Sequence, residues 1–89
     1  MKHIGITGQN GFVGYHLYQT LNLLKDEFIL INFERSFFDD NTMLDHFVLQ
    51  CDVIVHLAAI NRHNDPNVIY EINTGLVRKL IASLERTGS

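Results

Sequence analysis

The sequence predicts an α/β fold with a parallel sheet, and three observations support this. Short apolar runs alternate with segments of helical periodicity in the order β-α-β-α-β-α. This alternation is typical of parallel strands joined by right-handed crossovers. The composition, 46% hydrophobic and 19% charged, lies in the globular range and argues against a disordered chain. The length of 89 residues is enough for one small domain or for a piece of a larger one.

The first half of the chain contains two predicted strands and one predicted helix. Residues 3–7 are β-prone and stop at a glycine, which leads into a turn. Between residues 12 and 24, apolar side chains spaced by four, four and three share one helical face. Residues 28–31 are apolar throughout, as in a strand covered on both faces. Residues 32–41 have mixed polarity and are predicted to form a loop.

The second half contains two predicted helices around a third buried strand. The hydroxyl of Thr42, followed three residues later by an acid, predicts a helix start. Residues 52–57 form an apolar run and are predicted to be the third strand. A capping carboxylate and a proline, Asp65 and Pro66, predict the start of the last helix, and Gly88 predicts its end.

Charge and cysteine content exclude several classes of function. Seven basic and ten acidic residues give a net charge of −3, so there is no electrostatic reason to bind nucleic acid or an anionic membrane. Cys51 is the only cysteine and cannot form an internal disulfide, which favours a reducing compartment. No apolar run is long enough to span a bilayer. The five histidines do not have the spacing of metal ligands, so we expect no metal site. The single cysteine, the lack of a spanning apolar run and an N-terminus without an apolar signal segment predict a cytoplasmic chain.

Three glycines between the first strand and the first helix are the most informative feature. Gly8 permits a tight turn, Gly11 lets backbone amides approach a pyrophosphate, and Gly14 lets the helix pack closely. The helix N-terminus offers unpaired N–H groups and the positive end of a dipole to an anion. The turn therefore predicts a dinucleotide site made of Gly8, Gln9, Asn10, Gly11, Phe12, Val13 and Gly14. The alternative is a tight βα turn that binds no ligand.

Three short motifs resemble those of a known family. TGQNGFVG, residues 7–14, resembles the TGxxGFxG fingerprint of the extended short-chain dehydrogenase/reductase family, the sugar-nucleotide epimerases and dehydratases. HLAA, residues 56–59, resembles that family's motif after the third core strand, and residues 73–75 match its N-x-G pattern. The longer string HLAAINR, residues 56–62, resembles more narrowly the reductases of UDP-N-acetyl-L-fucosamine synthesis in bacterial capsule pathways.

The resemblance covers all 89 residues and implies a Rossmann-like three-layer α/β fold with a parallel sheet. Residues 1–89 would then be the N-terminal part of an NAD(P)-binding domain, the first half of a doubly wound sheet, with no second domain present. Leu57, Ala58 and Ala59 would contact the cofactor at the carboxyl edge of the sheet, although plain close packing would also explain small residues there. The resemblance also gives cofactor contact to Asn73, which would otherwise be interpreted as a surface polar residue.

The segment after the second strand bears on the choice of cofactor. Asn32 stands where an NAD-binding fold normally has an acid for the adenosine ribose. Arg35 can pair with a ribose phosphate, so the sequence favours NADP(H) over NAD(H). In the alternative interpretation, the Glu34 carboxylate accepts hydrogen bonds from the adenosine ribose hydroxyls, and Arg35 points to solvent. The phenylalanines at positions 33, 37 and 38 either wall the adenine or pack in the core.

The catalytic residues that the resemblance implies, a Tyr-x-x-x-Lys pair, are absent, because no tyrosine has lysine four positions later. We therefore expect no catalytic residue here and no turnover by this chain alone. The expected parent is an NAD(P)-dependent epimerase, dehydratase or reductase acting on a nucleotide-activated sugar by hydride transfer. The alternatives are a non-catalytic NAD(P)-binding sensor or interaction module, and a fragment that only self-associates. An exposed apolar edge on the first strand would make the chain a homo-oligomer.

Overall fold

Strands and helices alternate along the chain in the computed structural model, which describes residues 2–9, 11–24, 26–59 and 64–88. The elements are β1 (Lys2–Thr7), α1 (Phe12–Asn22), β2 (Phe28–Ile31), α2 (Asn41–Gln50), β3 (Val53–His56) and α3 (Pro66–Thr87). A 3₁₀ helix, Arg35–Asp39, lies between β2 and α2 in the segment predicted to be a loop. The predicted α/β alternation is confirmed.

The sheet is parallel, and its strand order is β2-β1-β3. In this register Gly5 pairs with Ile31 of β2 on one side and with Ile54 of β3 on the other. The prediction that β1 is an exposed edge is therefore wrong, because β3 crosses to the side of β1 away from β2. Among the described strands, β2 and β3 are the edges. The homo-oligomer that we expected from a β1 edge stays a prediction.

The two crossovers run in opposite directions along the sheet: the first leads from β1 to β2, and the second leads from β2 past β1 to β3. Because parallel crossovers are right-handed, α1 covers one face of the sheet and α2 covers the other, where α3 packs against it. This arrangement is the three-layer architecture expected of the sequence. It also places the carboxyl ends of β1 and β3 next to each other, at the point where the strand order reverses.

The core lies on the face covered by α2 and α3. The ring of Phe33 makes edge-to-face contacts with Phe37, Phe38 and Phe47 at centroid distances of 5.4, 5.3 and 4.9 Å. The aromatic residues after β2 are thus core packing, as one of the two interpretations had it. The buried cluster consists of Phe33, Phe37, Phe38, Leu44, Phe47, Val48, Ala58, Leu76 and Leu80.

At Gly5 the α2 side of the core packs directly on the backbone of β1. A Cβ at this position would overlap the Sγ of Cys51 and the ring of Phe47. Phe47 is almost fully buried and has no room to move aside. The absence of a side chain at Gly5 therefore sets the distance between α2 and β1.

The opposite face is covered less completely than the sequence predicted. The helical stripe of α1 is only half-buried, and Val13 at its start is 63% exposed. Val53 of β3 is 43% exposed, so the third strand is not buried on both faces. The reason is that α1 is the only described helix on this side, and it packs against β1 and β2 rather than β3.

The ends of α3 are those that the sequence predicted. The Asp65 carboxylate accepts a hydrogen bond from the backbone N–H of Asn67 at 2.9 Å, and Pro66 occupies the first helical position. Gly88 ends the helix in the left-handed conformation, with φ of 73°. No helix in the described ranges combines the length and the apolar character that crossing a membrane requires.

The start of α2 differs from the prediction. Asp40, rather than Thr42, caps the helix, and its Oδ1 accepts the backbone N–H groups of Thr42 at 3.0 Å and Met43 at 3.2 Å. The acid predicted to complete the Thr42 cap, Asp45, instead accepts hydrogen bonds from Arg86 and from Ser83, both on α3. A contact with a distant helix thus replaces the local one.

Candidate functional site

A cleft of about 140 Å³ opens at the carboxyl ends of β1 and β3. Ligands of open parallel α/β sheets bind at this edge, where the strand order reverses. Of the lining residues, Phe33 alone lies outside the set predicted to bind the cofactor. The cleft is lined by Gly8, Gln9, Gly11, Phe33, Arg35, Leu57, Ala58 and Ala59.

Gly8 makes the turn out of β1 possible. Its φ of +83° lies in the left-handed region that favours glycine, and its carbonyl oxygen accepts the N–H of Gly11 at 3.0 Å. A Cβ on Gly8 would also lie 2.7 Å from the backbone nitrogen of Ala58. Both the turn and the approach of the segment after β3 therefore require glycine at this position.

Gly14 lets α1 pack against the glycine turn. It is buried, and a Cβ at this position would overlap the carbonyl oxygen of Gly8. The sequence predicted close packing for this glycine, and the partner is the backbone of the turn.

Gly11 differs from the other two glycines because the chain itself does not require it. It is the N-cap of α1 with φ of −77°, a conformation open to any residue. A Cβ there would meet a single described atom, the Gly8 carbonyl oxygen at 3.4 Å, which is an ordinary contact. No side chain caps the helix at this position. Room and uncapped backbone donors therefore coincide at the N-terminus of α1, as a bound diphosphate would require.

The Thr7 hydroxyl joins the glycine turn to the segment after β3. Its oxygen accepts the backbone N–H groups of Leu57 at 3.1 Å and Ala58 at 3.2 Å, and it lies 2.6 Å from Nδ1 of His56. Thr7 is fully buried. Thr7 is not among the residues predicted to bind the cofactor, although it is the first residue of the string TGQNGFVG.

This network favours the neutral form of His56. The Thr7 hydroxyl oxygen accepts the N–H of Ala58 and part of the N–H of Leu57, which also donates to the Thr7 backbone carbonyl at 3.0 Å. The hydroxyl hydrogen can then point to Nδ1 of a neutral ring. Burial also lowers the pKa of His56, and the ring of Phe38 packs edge-on against it at 6.1 Å.

The segment after β2 forms the other wall of the cleft. The side-chain amide nitrogen of Gln9 donates a hydrogen bond to the backbone carbonyl of Phe33. Arg35, the first residue of the 3₁₀ helix, is exposed and lines the cleft. Asn32 follows β2 directly, as predicted, but it is exposed and does not line the cleft.

Other predicted site residues lie outside the cleft or outside the described residues. Phe12, 81% exposed, packs its ring against His16 at 4.7 Å, and neither Phe12 nor Val13 nor Gly14 is a lining residue. Asn73 is half-buried in α3 and is not a lining residue. Asn10 and the stretch 60–62 of the HLAAINR string lie outside the described residues.

Titratable side chains form no second chemical centre in the described part of the chain. No three His, Cys, Asp or Glu residues there approach one another as metal ligands would. Burial, with a smaller contribution from the Asp52 carboxylate, raises the pKa of the Cys51 thiol to about 11. A thiol with this pKa is a poor nucleophile at neutral pH.

Comparison with known proteins gives one match. The model of the NAD dependent epimerase/dehydratase family matches residues 4–89. Neither a curated protein nor a solved structure matches the chain. The family match begins in β1 and runs to the end of the chain, so it takes in every residue that lines the cleft.

Proposed function

The chain belongs to the NAD dependent epimerase/dehydratase family, and we propose that its cleft is the binding site for the dinucleotide. In this proposal the backbone N–H groups of the first turn of α1 hold the pyrophosphate, which lies in the space that Gly11 leaves open. The adenosine half lies against the segment of Phe33 and Arg35. The nicotinamide half lies toward residues 57–59, which line the cleft and include two small alanines.

The space at Gly11 carries this proposal. A tight turn without a ligand needs Gly8 for its φ and Gly14 for packing, but it does not need glycine at position 11. A phosphate in front of the uncapped α1 N-terminus does need it, because a side chain would occupy the same volume. The residues present therefore fit a dinucleotide better than they fit an empty turn.

The proposed reaction class is that of the family. When bound, the nicotinamide ring would supply hydride transfer to or from a carbon of a nucleotide-activated sugar. The Tyr-x-x-x-Lys pair expected for proton transfer is not present in the 89 residues. We therefore propose that this chain is the cofactor-binding portion of such an enzyme and does not turn over substrate alone. The narrower proposal of a capsular UDP-N-acetyl-L-fucosamine pathway reductase rests on the HLAAINR string.

We propose NADP(H) rather than NAD(H) as the preferred cofactor. Two observations support this preference: Arg35 lines the cleft, and no acid occupies the position directly after β2, where Asn32 stands. A guanidinium pairs with a ribose phosphate through charge-assisted hydrogen bonds. Titration with both dinucleotides tests the preference, and tighter binding of NAD+ would contradict it.

The decisive experiment replaces Gly11 by aspartate and, as the matched control, by alanine. Both side chains fit, because the Cβ has only the 3.4 Å contact with Gly8, so both variants should fold. Gly11→Asp places a carboxylate against the pyrophosphate and should weaken dinucleotide binding at least about tenfold, or 1.4 kcal/mol. Calorimetric titration gives both affinities: Gly11→Ala should weaken binding through the volume of its methyl group alone, and Gly11→Asp should weaken it further through its charge. Wild-type affinity in Gly11→Asp would refute the phosphate site.

A non-catalytic NAD(P) sensor is the second candidate, since a chain of that kind binds the dinucleotide without a Tyr-x-x-x-Lys pair. Both candidates bind the dinucleotide, so Gly11→Asp does not separate them. The gene sequence beyond codon 89 does: a further strand followed by Ser or Thr and then Tyr-x-x-x-Lys would support the enzyme, and a stop codon would support the sensor.

A further inference from the structure

The Gln9 side chain bridges two walls of the cleft. Its amide nitrogen donates to the backbone carbonyl of Phe33, 24 positions along the chain, and both residues line the cleft. A carbonyl only accepts hydrogen bonds, so the amide must present its nitrogen to it. The glycine turn after β1 is thereby tied directly to the segment after β2.

This hydrogen bond holds the backbone of Phe33, whose ring is already packed in the core. The ring is held in the core by three aromatic neighbours and is 3% exposed. The backbone carbonyl accepts the hydrogen bond from Gln9. Arg35 lies two positions later, and the N–H of Phe37 closes the 3₁₀ turn on the carbonyl of Glu34 at 2.9 Å. The place of Arg35 relative to the glycine turn therefore depends on where Phe33 is held.

The two residues after Phe33 carry opposite charges. Glu34 and Arg35 are both exposed, and only Arg35 lines the cleft. A rotation of this segment would change which charge faces the adenosine ribose. A carboxylate accepts hydrogen bonds from ribose hydroxyls, whereas a guanidinium pairs with a ribose phosphate. Holding the segment in one orientation thus decides between two cofactors.

From this geometry we infer that Gln9 is a positioning residue for cofactor discrimination. It holds the Phe33 carbonyl so that Arg35 faces the ribose phosphate of NADP(H). This inference rests on the proposed function and extends it to a residue at a position of the fingerprint where any side chain is allowed. Gln9 acts through Arg35, so its effect must depend on Arg35.

A double-mutant cycle tests this dependence. Gln9→Ala, Arg35→Ala and the double variant are titrated calorimetrically with NADP+ and with NAD+. We expect Gln9→Ala to weaken NADP+ binding about tenfold and NAD+ binding less than threefold. In the Arg35→Ala background, the same change should alter NADP+ affinity less than twofold. Gln19→Ala, an exposed glutamine of α1, is the matched control and should bind as the wild type does.

The outcomes separate the two claims. Equal losses from Gln9→Ala in both backgrounds would overturn the positioning role and leave the proposed function intact. A wild-type chain that binds neither dinucleotide would overturn the proposed function and the discrimination role with it. Hydrogen exchange tests the tether without a ligand: Gln9→Ala should speed amide exchange at residues 33–37 and leave α1 unchanged. Unchanged exchange at residues 33–37 would also overturn the inference.

Discussion

The hydroxyl oxygen of Thr7 lies 2.6 Å from Nδ1 of His56, across 49 positions of the chain. The same oxygen accepts two backbone N–H groups of the segment that lines the cleft, at Leu57 and Ala58. A proton added to Nδ1 would turn the hydroxyl hydrogen away from the ring, toward the side where the oxygen accepts these N–H groups. The contacts that favour a neutral His56 are therefore the same ones that join β1 to the segment after β3.

Because burial lowers the pKa of His56 in the folded state, stability should depend on pH. Between the folded pKa and the ordinary value near 6.5, the unfolded chain binds a proton that the folded chain does not. The contribution is fully present above about pH 6.5 and is lost as the pH falls through the folded pKa. Urea unfolding between pH 7.5 and 5 measures this loss.

The control for this prediction is His56→Asn. The asparagine side-chain oxygen can accept the Thr7 hydroxyl near the position of Nδ1, and it does not titrate. The other histidines are the same in both proteins, so the difference between the two pH profiles belongs to His56. Parallel profiles would contradict the assignment.

Gly14 and Gly75 give opposite predictions for the same substitution in a helix. A Cβ on Gly14 would overlap the Gly8 carbonyl, so Gly14→Ala should cost at least about 2 kcal/mol and should abolish the cleft. A Cβ on Gly75 meets no described atom within 4 Å, so Gly75→Ala should stabilise α3 by about 1 kcal/mol. Thermal melts of both variants measure the two shifts, and a loss of similar size in both would contradict the packing argument.

The Asp45 carboxylate accepts hydrogen bonds from two residues of α3, so it should contribute more to the stability of the fold than the exposed ion pair of Asp39 and Lys79 does. The Arg86 guanidinium, followed by the Ser83 hydroxyl, holds the pKa of Asp45 below its ordinary value of 3.8. Its contribution to stability is present above that value and is lost as the pH falls through the folded pKa. Asp45→Asn should therefore lower the urea midpoint at pH 7.

The matched control is Asp39→Asn. Asp39 is 83% exposed and lies 3.5 Å from Lys79, and exposed pairs of this kind contribute little. Its urea midpoint should stay at the wild-type value within error. An equal fall of the urea midpoint in both variants would show that the Arg86 contact stabilises the fold no more than the exposed pair does.

The Cys51 thiol should react slowly in the folded chain. With a pKa of about 11, the thiolate fraction at pH 8 is about one thousandth. The rate of reaction with a disulfide reagent should rise sharply in urea, because the unfolded thiol regains its ordinary pKa and its access to solvent. A folded-state rate equal to that in urea would contradict the burial of this side chain.

The sequence predicted the features that local chemistry dictates. The positive φ of Gly8, the carboxylate of Asp65 and the left-handed end at Gly88 each depend on a few adjacent residues. These parts of the fold are confirmed. Several residues predicted to bind the cofactor line the cleft, namely Gly8, Gln9, Gly11, Arg35, Leu57, Ala58 and Ala59, and their contact with a dinucleotide stays a prediction.

The sequence did not predict what depends on distant contacts. Asp45 was predicted to cap the start of its own helix, but it accepts hydrogen bonds from Arg86, which lies 41 positions away. The place of β3 beside β1 is a matter of crossover direction, which residue patterns within single elements do not encode. The bridges from Gln9 to Phe33 and from Thr7 to His56 also became apparent only when the strands were brought together.

The contact of Gly5 with Phe47 and Cys51 has a consequence for the gene. Every amino acid other than glycine has a Cβ, so any missense change in codon 5 inserts a carbon into occupied space between α2 and the sheet. In a library of random mutants selected for folded protein, synonymous changes should be the ones that survive at this codon. Codon 75, whose glycine has open space around it, should accept alanine freely in the same library.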